Sequence, residues 1–69
     1  MKGACLLCDK YKLETIKKEL DKEGFSYMVE DSDVEDLAIV MVLYEPEQFF
    51  VLQNTLEIAN RIARNMRLN

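Results

Sequence analysis

Cys5 and Cys8, separated by Leu6 and Leu7, are the first residues of this chain whose type and spacing could do chemistry. Two thiols at that spacing serve as a dithiol redox pair or as half of a tetrahedral metal site. A redox pair places its first cysteine at a helix N-terminus, where the dipole and free amides lower its pKa. Only four residues precede Cys5, too few for the buried strand that leads into such a motif. The chain has no histidine, so a four-ligand thiolate site would need two subunits, each giving Cys5 and Cys8. If these residues form a strand, side chains three apart point to opposite faces, which opposes joint chelation. The first reading is therefore two small apolar residues of a strand, since free cysteine is among the most buried residue types. Metal binding across subunits and thiol redox chemistry are the alternatives.

The second cluster is Glu30-Asp31-Ser32-Asp33-Val34-Glu35-Asp36. Asp31, Asp33 and Glu35 alternate like the opening of a calcium loop. Asp36 stands where that loop needs its sharp-turn glycine, and Val42 where it needs the closing bidentate glutamate, so this is not an EF-hand. Asp31, Asp33 and Glu35 remain candidates for weak cation binding. Glu30, Asp31, Asp33, Glu35 and Asp36 together form an acidic patch suited to a basic protein partner. A solvated turn is the plainest reading.

Arg61, Arg64 and Arg67 recur at three-residue spacing and suit the negative end of a helix dipole. Without interleaved aromatics or a glycine-rich segment they do not amount to a phosphate site. Catalysis has little to work with. The hydroxyls besides the tyrosines are Thr15, Ser26, Ser32 and Thr55, none with a base at a recognised spacing, and glycine occurs only at Gly3 and Gly24. No enzymatic activity and no cofactor are expected.

The stretch from Cys5 to Asp31 resembles the start of a glutaredoxin in its order of CxxC, helix, glycine and aromatic strand. The spacing from Cys8 to Gly24 is longer than in that family. The single proline, Pro46, precedes a helix instead of a strand, so no residue role is carried over.

These residues are positioned by five elements. Lys2–Cys8 reads as a strand. Asp9 is placed as an N-cap, and Leu13, Ile16 and Leu20 give a narrow apolar stripe on a helix over 10–23. Gly24 closes that helix. Phe25, Tyr27 and Val29 alternate with Ser26, Met28 and Glu30, the pattern of a half-buried strand. Residues 30–36 are the acidic turn. Leu37–Tyr44 is apolar at every position, so both faces of that strand call for cover and it belongs at the centre of the sheet. Pro46 and the early glutamates start a last helix. On it Phe49, Leu52, Leu56, Ala59, Ala63 and Met66 form a seam, with Val51, Ile58 and Ile62 beside it. Phe50 falls on the polar side, as an exposed contact residue or a cap on the end of the sheet.

The order strand, helix, strand, strand, helix predicts a small α+β domain, 1–69. Its three-stranded antiparallel sheet has order 1-3-2, with two helices on one face, a ferredoxin-like pattern lacking its last strand. Half of the strand 37–44 then points at an open face, and the first strand keeps a free edge. Both are liabilities in a monomer. A homo-oligomer is expected, dimer first, through Ile39, Met41 and Leu43 of the sheet and Val51, Ile58 and Ile62 of the last helix.

Charge supports a protein partner. Residues 1–24 carry +1, residues 25–47 carry seven acids and no base, and residues 48–69 carry +2, for a net charge of −4. An acidic middle third disfavours nucleic acid. The longest apolar run, Leu37 to Tyr44, is far shorter than the roughly 20 residues of a membrane span. No secretory signal is read at the N-terminus, and two cysteines are too few for a secreted disulfide scaffold, so a cytoplasmic protein is expected.

Overall fold

A computed structural model describes residues 1–68, with the backbone alone at 67 and 68. Strand β1 (Lys2–Asp9) leads through a 3-10 turn at Lys10–Lys12 into helix α1 (Leu13–Lys22). Strands β2 (Ser26–Asp31) and β3 (Leu37–Tyr44) follow. A second 3-10 turn, Pro46–Gln48, opens helix α2 (Phe49–Leu68). The sheet is antiparallel with order β1-β3-β2.

The register fixes which side chains share a face. Cys5 lies opposite Met41 and Leu7 opposite Ile39, while Met28 flanks Met41 from the other side. One face therefore carries Ala4, Leu6, Cys8, Ala38, Val40, Val42 and Tyr27. Against it pack Ile16 and Leu20 of α1 and Leu52 and Ala59 of α2. Leu20, Val40 and Val42 are fully buried there. The other face carries Cys5, Leu7, Met28, Leu37, Ile39, Met41 and Leu43, and among the described residues no element lies over it. Within one chain, then, β3 is covered on one side only, although it is apolar on both. The molecule is a thin plate, 35 × 27 × 14 Å.

Local chemistry explains the joints. Gly24 takes φ +81°, and its N–H reaches the Asp21 carbonyl while the Phe25 N–H reaches that of Leu20. This pair of bonds is a Schellman cap, and Phe25 and Leu20 supply its apolar contact in the core. At α2, the Glu45 N–H donates to Gln48 Oε1 at 2.8 Å, completing a capping box ahead of Pro46. Thr55 is buried, and its hydroxyl donates to the Val51 carbonyl at 2.7 Å.

Two expectations are corrected. Asp9 ends β1 and makes no side-chain cap, because the 3-10 turn delays the α-helix to Leu13; its carboxylate lies 3.8 Å from Lys12 Nζ. Glu30 and Asp31 belong to β2 and not to the turn. An edge strand can carry exposed acids without burying a charge, so their polarity did not end the ladder.

Candidate functional site

The open face of the sheet is the candidate site. Its side chains come from alternate positions of all three strands, brought side by side by the antiparallel register. Leu7 is 65% exposed, Met28 59%, Leu43 46% and Met41 39%, whereas Val40 and Val42, on either side of Met41 in sequence, are wholly buried. Charge enters only at the rim, with Glu30 opposite Ile39 and Asp9 opposite Leu37. At roughly 3.4 Å per residue and 4.8 Å between strands, eight residues by three strands span roughly 400 Å² in projection.

The six residues expected at an oligomer interface divide between two surfaces. Ile39, Met41 and Leu43 lie on the open sheet face. Val51, Ile58 and Ile62 line a shallow groove between α1 and α2, beside Glu19 and Lys22. That groove is in the helical layer, on the far side of the sheet from the open face. Phe50 is 79% exposed and meets the edge of Phe49 at 5.7 Å between ring centres. Phe49 in turn lies 6.1 Å from Tyr44, so Phe49 and not Phe50 stands at the end of the sheet.

Both thiols are free, and they lie on opposite faces of β1. Cys5 is exposed on the open side and Cys8 is buried in the core. No third ligand compensates: among the described residues, no three Cys, Asp or Glu side chains gather closely enough to hold a metal ion. Burial raises the Cys8 thiol pKa above its usual 9.0, the Asp9 carboxylate adds to this, and Lys12 opposes it. A thiol held in its neutral form is a poor nucleophile.

That shift has a consequence for stability. The folded state keeps the Cys8 proton more tightly than the unfolded chain does. Its stabilising contribution is complete below about pH 9 and is lost as pH rises through the raised folded value. The unfolding free energy of the natural protein is expected to fall more steeply above pH 9 than that of Cys8→Ala, in urea titrations at a series of pH values. Equal slopes would refute a buried, proton-retaining thiol. Tyr27 acts in the same direction at higher pH. Partial burial, its hydrogen bond to Asp21 at 3.1 Å, and the charges of Asp21 and Glu14 raise its phenol above 10.0.

The acidic residues are spread out by the turn that carries them. Ser32 Oγ lies 2.9 Å from the carbonyls of both Val34 and Leu37, donating to one at a time, and accepts from the Val34 N–H at 3.1 Å. Asp36 adopts φ +69°, a left-handed conformation that Asp tolerates better than most residues, and its carbonyl accepts from the Lys10 N–H at 2.8 Å. Asp31 lies 3.7 Å from Lys10 Nζ, on the helix-covered side of the sheet, whereas Glu30 sits on the open side. Asp33, Glu35 and Asp36 are exposed in the turn. Arg61 and Arg64 are exposed on α2, and the side chain of Arg67 lies outside the described residues.

Sequence reasoning passed over two groups now visible. One is Met28, assigned to the polar side of an alternating strand, which the register sets beside Met41 on the open face. The other is the contact that ties α2 to the start of α1, where Lys12 Nζ donates to Asn60 Oδ1 at 2.6 Å. Among the described residues no helix is long and apolar enough to cross a membrane. No family model matches this chain, and no curated protein or solved structure matches it.

Proposed function

We propose that this protein is a small, non-catalytic interaction or regulatory protein that works as a homo-oligomer in the cytoplasm, its open sheet face covered by a second copy. The observation that carries this reading is the uncharged centre of that face. Cys5, Leu7, Met28, Ile39, Met41 and Leu43 form one contiguous apolar surface with acids only at its rim. Apolar surface of this kind is stabilised by removal from water, at about 25 cal/mol per Å². A second copy fits it because an isologous contact repeats the same surface, apolar centre on apolar centre. The exposed turn acids then stand clear of the contact, where they suit a basic protein surface and repel nucleic acid.

Sedimentation equilibrium at micromolar concentration tests the reading. A mass that is a multiple of 8.1 kDa, falling on dilution, is the expected result. A mass of 8.1 kDa throughout would overturn it.

A further inference from the structure

We propose that the free edge of β1 is a strand-docking site occupied by β1 of a second copy, antiparallel, joining two three-stranded sheets into one of six. The two edges of the sheet are unlike. The β2 edge is six residues long and ends in Glu30 and Asp31. The β1 edge is eight residues long, has no proline and is uncharged from Gly3 to Cys8. Edge charges, proline and shortness are the means by which natural sheets block pairing, and β1 has none of them between its two end residues.

A groove of about 490 Å³ lies beside this edge. Leu6, Leu7, Cys8 and Asp9 line it on the strand, Lys12 lies at its end, and Gln53, Leu56, Glu57 and Asn60 of α2 line its other side. A strand laid along β1 would set every second side chain into that groove and the others on the open face.

Symmetry determines how a second β1 lies there. Two identical edges pair antiparallel about a dyad normal to the sheet, which keeps the helix-covered faces on one side. Opposed residues must then belong to the same face, so residue numbers in a pair sum to an even number. The two longest such registers centre on Cys5, pairing 2–8 with 2–8, or on Leu6, pairing 3–9 with 3–9. In both, Ala4 of the partner enters the groove, opposite Leu6 in the first and Cys8 in the second. Lys2 and Asp9 are the only charges of β1 and stand at its two ends. Antiparallel pairing brings the basic end of each strand beside the acidic end of the other, whereas parallel pairing would bring like ends together.

Area points to the same occupant, and here the inference rests on the homo-oligomeric reading above. One open face, at roughly 400 Å² in projection, is no larger than patches that monomers carry. Two joined edge to edge present roughly 800 Å², close to what each partner contributes to a standard stable interface. Pairing at the edge thus builds the surface that the face contact needs.

Amide hydrogen exchange of the whole chain, followed by NMR at high concentration and on dilution, tests this directly. In a free edge strand alternate amides point to solvent, so protection along β1 alternates. With β1 paired on both sides, consecutive amides through Ala4–Leu7 are protected. The outward set is expected to exchange about tenfold or more slower at high concentration than on dilution. Alternating protection at all concentrations would overturn the edge contact; if the sedimented mass still exceeded 8.1 kDa, the homo-oligomer would stand without it. Consecutive protection that is indifferent to dilution would overturn a second copy as the occupant.

Discussion

Leu20→Ala is expected to come close to unfolding the protein. Leu20 is 0% exposed, sits in the last turn of α1 and packs with Phe25, Val40 and Val42 in the core. Truncating a buried leucine to alanine costs about 2–5 kcal/mol, through lost transfer energy and the cavity left behind. A chain of this size has about 3–10 kcal/mol in total. Each kcal/mol moves Tm by about 4–8 °C in a domain this small, so a fall of more than about 10 °C should appear by circular dichroism. The backbone carbonyl that Leu20 gives the Schellman cap remains, but its apolar contact with Phe25 is lost, so the joint to β2 loosens. A shift below about 3 °C would mean that this core is not packed as described.

Met41→Lys is expected to do the reverse, sparing the fold and abolishing the contact between open faces. Met41 lies on the same central strand as Val40 but faces the other way, at the middle of the open face between Cys5 and Met28. A lysine there reaches water in a lone chain, so the far-UV spectrum should be unchanged. Against a second copy the ammonium loses its water without gaining a partner. Leaving a charge unpaired in an interface costs about 2–5 kcal/mol, which raises the dissociation constant by about thirtyfold or more. Lysine is the better choice than glutamate because it reduces the net charge of −4, so lost assembly cannot be assigned to general repulsion. A mass no greater than the edge-paired dimer, twice 8.1 kDa, with native secondary structure is the expected result, and an unchanged larger oligomer would exclude this face as a contact.

The sequence and the structure agree where one periodicity dominates. The apolar run from Leu37 to Tyr44 required a central strand, and the order of five short elements left few topologies, which is why order 1-3-2 was readable. Gly24 was readable because the left-handed residue that closes a helix is costly for other side chains. The misplacements lie at boundaries, where two principles compete. Asp9 has the chemistry of an N-cap, but chain direction at the end of β1 set a 3-10 turn in its place. Glu30 and Asp31 have the composition of a turn, but ladder bonds to β3 held them in the strand. The candidate site was legible only in part. Alternation in β3 divided its residues correctly, yet the match of Met28 to Met41 depends on register across the turn, which no local pattern encodes. The split of Val51, Ile58 and Ile62 from Met41 depends on how α2 is rolled against the sheet, which its docking on α1 and the sheet decides.

The opposite facing of Cys5 and Cys8 equips the chain with two clocks. A thiol-modifying reagent meets Cys5 on the bare sheet face and Cys8 only when the core opens. The rate at Cys8 therefore counts openings of the core and of the groove beside β1, and the rate at Cys5 counts the time that the sheet face spends uncovered. Followed together by mass spectrometry in a crude extract, the two report on the two surfaces in a single sample. One reagent serves for both, because two residues of one strand supply both readings.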